Sequence, residues 1–319
     1  MTPAARRVRS YFAPVTRSDN GAAITPAPFD FGRRGMFPLA SPPLPWIDLG
    51  WIENLSRAVE NKITPVRVGP KAAPAAQFRS SLGATVQFDF RQWGKLQMAL
   101  ACGSQHMNIL QPDVVADPSG QTPLAAVPVQ PDSTATQLLF APGLASAFAP
   151  GDLVAVDVDY AGTIGYVGSG IAAAFVSSPV AVHSDANYVR RVTFNVGRVA
   201  SVAGQAIVLT QPLAGGEPFL GAKTQKITGF CDRESGSFFH EWSGLFVIEE
   251  ELGGRILFHY PRLQSAAPTR EAALPIAPPL ESFALRAAFI ALPVTDPLDG
   301  EQVLCYRAYF PAPSASIAY

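Results

Sequence analysis

The feature that most constrains this chain is a pair of segments near its C-terminus in which neither face of an extended strand is polar. Alternate residues of a strand point to opposite sides of its sheet. In Phe283 to Leu292, Phe283, Leu285, Ala287, Phe289 and Ala291 therefore share one face, and Ala284, Arg286, Ala288, Ile290 and Leu292 share the other. In Gln302 to Phe310 the faces are Val303, Cys305, Arg307 and Tyr309 against Leu304, Tyr306, Ala308 and Phe310. A strand that is apolar on both sides has to be covered on both. Little helix is expected elsewhere to do the covering, so the expectation is burial against neighbouring copies, with Phe283, Leu285, Phe289, Tyr306, Tyr309 and Phe310 at the subunit interface. Pro297-Leu298-Asp299-Gly300 lies between the two segments and reads as the turn that pairs them.

Composition fits an assembling β protein and fits equally a proline-rich β protein from a GC-rich genome. The 319 residues, 48% of them hydrophobic, are enough for a full core. Charged residues make up only 15%, against about 25% in typical soluble domains, which suits a surface partly covered by copies of itself. A net charge of −1 lacks the clustered cations that a nucleic-acid-gripping protein needs, but it is compatible with a conduit past which DNA slides. Cys102, Cys231 and Cys305 are too few and too scattered for a disulfide framework and read as small buried hydrophobes. No apolar run follows Arg6, Arg7 and Arg9, so no secretory signal is expected. No stretch nears the roughly 18 apolar residues of a membrane span.

Along the chain, residues 1–45 carry scattered proline and glycine without periodicity and read as an extended arm that docks through Phe12, Phe29, Phe31, Met36 and Phe37 across a neighbour. Pro65 places Ile63 to Val68 at an edge or bulge. Ala84 to Arg91 is a clear amphipathic strand, with Val86, Phe88 and Phe90 toward a core and Gln87, Asp89 and Arg91 toward water. Gln92 to Cys102 predicts one short helix, with Gly103 as its C-cap. Residues 150–215 read as several short strands with close turns, a small barrel or sandwich inserted in the main fold. Strands return after 222, with Gly253-Gly254 as a tight hairpin turn. The domain reading is an arm (1–45), a main β domain (46–149 and 216–319) and the insert (150–215).

Motifs for chemistry are weak. His106, His183, His240 and His259 are too dispersed for compact metal-ligand spacing, so no metal or cofactor is expected. Gly165, Gly168 and Gly170 occur in the order G-x-x-G-x-G, and no Gly-Lys-Ser/Thr is present to make a phosphate loop. Neither Gly168-Ser169 nor Gly236-Ser237 sits in a nucleophile elbow. Glu249 to Glu251, near Trp242 and Phe246, or Asp157 with Asp159, can be nominated for a carbohydrate site, though a solvated strand end accounts for the Glu run more simply. No enzymatic activity is expected.

The order of these elements resembles the tail tube proteins of tailed bacteriophages and the inner tubes of contractile systems: the apolar segment Asp48-Leu49-Gly50-Trp51, a strand and one helix, an inserted β domain, then Phe283 to Leu292, Pro293 to Gly300 and Gln302 to Pro311. The resemblance covers residues 46–105 and 222–312 and is one of arrangement rather than of a diagnostic motif. It implies a β-sandwich or barrel with a short helix that forms stacked rings, usually six-fold, around a DNA channel. Carried over, Gln87, Asp89 and Arg91 would face the lumen and the insert would decorate the outside. The partners implied are further copies of the chain, other tail proteins and DNA as transient cargo, in a virion tail assembled in the host cytoplasm. The alternatives are the inner tube of a non-viral injection system and a carbohydrate-binding β protein.

Overall fold

The computed structural model describes residues 5–17, 24–27, 29, 42–43, 46–68, 73–103, 105–110, 126–157, 195–213, 216–218, 220–233, 241–266, 271–277 and 280–312. The chain opens with strand β1 (Ala5–Pro14) and a minor pair, β2 (Thr16–Arg17) with β3 (Ile24–Thr25). Two very long strands follow, β4 (Ile47–Val68) and β5 (Ala73–Phe90), and then helix α1 (Lys95–Cys102). A second group comprises β6 (Gln105–Leu110), β7 (Val127–Pro128), β8 (Gln137–Leu139), β9 (Leu153–Asp157), β10 (Val196–Ala203), β11 (Ala206–Leu209) and β12 (Lys223–Arg233). The chain then returns through β13 (Glu241–Glu250), β14 (Arg255–Ser265), β15 (Glu271–Ala277), β16 (Leu280–Ala291), the small β17 (Val294–Thr295) and β18 (Gln302–Val303), and β19 (Tyr306–Phe310).

Six strands close on themselves. The antiparallel ladders run β16–β5–β4–β1–β13–β14, and β14 pairs back to β16 through Leu263↔Ala291 and Ser265↔Phe289. Closure removes exposed edges from the wall. Inside, Phe12, Phe88, Phe246 and Phe289 are fully buried, with ring centroids 5.3 Å apart for Phe12–Phe289 and for Phe88–Phe246. Each such ring contributes about 2–3 kcal/mol through the apolar surface it removes from water. Helix α1 adds Leu96, Leu100 and Ala101 to this core. It ends as expected at Gly103, whose φ of 59° is left-handed, and the Ser265 hydroxyl donates to the Leu100 carbonyl at 2.9 Å.

Two expectations are corrected here. The first residues of the supposed arm form a wall strand: β1 lies between β4 and β13, with Phe12 opposite Gly244 and Ile47. Its alternation is hidden because its outer face is buried as well. Tyr11 and Ala13 pack with Leu245, Val247 and Leu257 under Ala27 and Trp46, and the Ala27 amide donates to Ser243 Oγ at 2.9 Å. Phe12 and Phe29 thus dock on the chain's own barrel, while Phe31, Met36 and Phe37 lie outside the described residues. Secondly, the two C-terminal segments do not pair with each other. β16 pairs with β5, β15 and β14, and β19 pairs with β14 through Arg255↔Phe310 to His259↔Tyr306. The Asp-Gly turn joins β17 to β18 instead.

The second sheet, β6–β12–β9–β10–β11–β8, encloses its own core of Val154, Val156, Val199, Ile207 and Leu209. That core also contains Leu138, Phe140, Ala145 and Phe148, so its packing begins before residue 150. Lys95 of α1 lies 5.6 Å from the Phe230 ring of β12, beside the junction with the barrel.

Candidate functional site

The site is the mouth of the barrel, where β4 and β5 leave the wall. β1 pairs with β4 only from Ile47 to Ile52, and β16 pairs with β5 only from Ala84 to Phe90. The β4–β5 ladder continues alone from Glu60↔Gly83 to Val68↔Ala73. At about 3.3 Å per residue this two-stranded ribbon projects roughly 30 Å beyond the last wall contact. Among the described residues no third strand pairs with either outer edge. A lone hairpin is at best marginally stable in water, and open edges are templates for further strands.

The base of the ribbon is held on both faces. Toward the interior, Arg57 donates from Nε to the Tyr260 hydroxyl at 2.9 Å and lies 4.9 Å from the Phe258 ring centre. Burial pushes the Tyr260 phenol up to about 12, against the opposing pull of Arg57. Toward the exterior, Asp89 receives hydrogen bonds from Arg286 at 2.7 and 3.1 Å and from Asn54 at 2.6 Å. Burial drives the Asp89 carboxyl up, but the Arg286 and then the Asn54 hydrogen bonds outweigh it and hold the group below its ordinary range. Arg286 is raised in turn, chiefly by its hydrogen bond to Asp89.

The residues singled out from sequence are therefore divided. Gln87 and Arg91 are exposed, Arg91 within 3.1 Å of Glu53. Asp89 is only 5% exposed and is a structural anchor rather than a free wet carboxylate. Of the expected interface residues, Leu285 and Phe289 are fully buried inside their own barrel and have no surface left for a neighbour. The Phe283 side chain lies outside the described residues. Tyr306 stacks on His259 at 6.0 Å and donates to Asp296 at 2.6 Å, and Phe310 packs partly into the outer layer. Tyr309, 50% exposed, remains open.

Histidine and acid positions resolve similarly. His259 is buried beside Trp46, Phe29 and Tyr306, and burial pushes its imidazole down to about 4 against a hydrogen bond that it donates to the Ala27 backbone. His183 and His240, like Gly165, Gly168 and Gly170, lie outside the described residues, as does the His106 side chain. Among the described residues no group of three or more His, Cys, Asp or Glu is placed to hold a metal ion. Trp242 is buried in the barrel core, which withdraws it as a sugar-stacking platform, and Glu249 lies 3.7 Å from Arg255. No helix among the described residues is long and apolar enough to cross a membrane.

Sequence reasoning missed the ribbon, Arg57 and Asn54. The signal for the ribbon was partial: Pro65 does stand on an edge strand, opposite Gln77 and between register shifts at Lys62/Ile63 and Val66/Arg67, but nothing local shows that this segment extends a single strand from Ile47 to Val68. No known protein-family model matches the chain, and no curated protein sequence matches it significantly.

Proposed function

We propose that this chain is a structural, self-assembling subunit whose copies stack as rings into a tube, and that this tube is the tail tube of a tailed bacteriophage, through which DNA passes as transient cargo. The observation that carries the reading is the β4–β5 ribbon, a two-stranded ladder to whose outer edges no third strand pairs among the described residues beyond Glu60 and Gly83. Such a ribbon gains order by lying against other chains, and pairing or packing there satisfies its outer backbone groups. The closed, phenylalanine-filled barrel supplies the rigid body from which it projects. The edge of β19 away from β14, unpaired among the described residues and carrying the half-exposed Tyr309, gives a second surface for copies to meet.

Purified protein examined by negative-stain electron microscopy is expected to show rings or hollow tubes. Replacing residues 60–83 by a short Asn-Gly turn is expected to leave the barrel folded and to abolish polymerisation. A full-length chain that stays monomeric at high concentration overturns the proposal, as does a ribbon-less chain that still forms tubes.

A further inference from the structure

Where β4 leaves the wall, it carries one residue more than its partner. Glu53 stands opposite Asp89 and Ser56 opposite Gln87, so Asn54 and Leu55 together face Phe88. Asn54 has φ 54° and is the one non-glycine residue with positive φ among those described. A bulge of this kind bends its strand and increases the local twist. Asparagine is among the few side-chain-bearing residues that enter the left-handed region readily. The extra residue also sets which side chains turn inward: Leu55 packs against the barrel core and Arg57 reaches Tyr260. A ladder without it would turn every later side chain of β4 to the opposite face.

The side chain of this bulge residue is itself tied down. Asn54 Nδ2 donates to Asp89 Oδ2 at 2.6 Å, and the same carboxylate takes Nε and Nη2 of Arg286. A single buried anion therefore links the bend in β4 to its partner β5 and to β16, which remains in the wall. We propose that Asn54, Asp89 and Arg286 form a latch that sets the direction in which the ribbon leaves the barrel, and that breaking the latch lets the ribbon swing where it parts from β16, beyond Val59 and Ala84. These are positioning residues. The inference concerns one chain and holds whether or not the ribbon takes part in a tube.

The direction is read as a distance distribution by pulsed electron paramagnetic resonance. One nitroxide label is placed at Arg67→Cys in the ribbon and one at Leu252→Cys in the β13–β14 turn. Cys102, Cys231 and Cys305 are replaced by alanine, and labelled chain is diluted into an excess of unlabelled chain so that only intrachain pairs report. Asp89→Asn and Asn54→Ala are expected to broaden the distribution at least about twofold, as a hinge released from one orientation does. Asn54→Gly, which permits the left-handed backbone and loses only the amide, and Arg286→Gln, which leaves the bulge intact, are expected to broaden it in the same sense. They decide the matter should the first pair fail to fold. Distributions that match the unaltered chain, even with a lowered melting temperature, would assign the network to barrel stability alone and overturn the latch.

Discussion

Arg57 and Tyr260 meet across the mouth of the barrel: the guanidinium Nε donates to the phenol oxygen at 2.9 Å, joining the base of the ribbon on β4 to the opposite wall on β14. The ring of Phe258 lies under the same guanidinium. Arg57→Ala removes the donor to a buried hydroxyl that keeps its hydrogen bond with Cys305, and is expected to destabilise the chain by about 1 kcal/mol. Tyr260→Phe removes only the hydroxyl, and the pair should show a coupling of about 1 kcal/mol in a double-mutant cycle followed by urea denaturation. Strictly additive effects would mean that the contact contributes nothing.

His259 predicts a loss of stability in mild acid. Its folded-state pKa is depressed, to about 4, below the ordinary value of 6.5. The unfolded chain therefore binds the proton first. Stability from keeping this imidazole neutral is complete above about pH 6.5 and is lost as pH falls toward 4, on the order of 3 kcal/mol in all. His259→Phe should flatten the melting-temperature profile across that window. A profile as steep as that of the unaltered chain would trace the acid sensitivity to another group.

Phe289 and Tyr309 separate burial within one chain from burial between chains. Phe289→Ala opens a cavity in the barrel and is expected to destabilise the unassembled chain by about 3–5 kcal/mol. Tyr309→Ala should change that stability by no more than about 0.5 kcal/mol, since half of the side chain is already in water. Chemical denaturation below the concentration at which polymers form gives both values. Equal effects would place the two residues in the same environment, contrary to the barrel described above.

Gly103 is required for its backbone and for the space it leaves. Its φ is +59°, and an added Cβ would lie 2.8 Å from Ser265 Cβ. Gly143, at φ +84°, has nothing within 4 Å. Gly143→Ala should therefore show left-handed strain alone, about 1 kcal/mol, and Gly103→Ala distinctly more, visible as the larger drop in melting temperature. Indistinguishable melting curves would mean that the helix end shifts to accommodate the methyl group.

Local patterns read correctly where one face of an element stays wet or a turn needs a special residue. Val86, Phe88 and Phe90 do face the core, α1 does end at Gly103, and Gly253 does turn β13 into β14. The readings that failed have different physical causes: β1 is covered on both faces, whereas β16 fills the chain's own barrel with its inner face alone. In β1 the outer residues Tyr11 and Ala13 lie beneath Ala27 and Trp46, so no alternation survives to identify the strand. In β16 the doubly apolar pattern was read as demanding a neighbour, when its inner face fills the barrel and its outer face is covered only in part, Ile290 being 46% exposed.

By itself, then, the amino-acid order determined a β-rich chain with one short helix, because period-two alternation, β-branched runs and glycine turns act through neighbours a few residues away. Which strands close the barrel was decided only in three dimensions, since β1 meets β13 across more than two hundred residues and no local rule encodes that partner. The same holds at the mouth. Asp89 alternates with core residues as a solvent-facing side chain would, yet Asn54 and Arg286, brought from β4 and β16, convert it into a buried anchor. A charge becomes structural only when its counter-charge and hydrogen-bond donors arrive to replace water, and in this chain they come from distant segments.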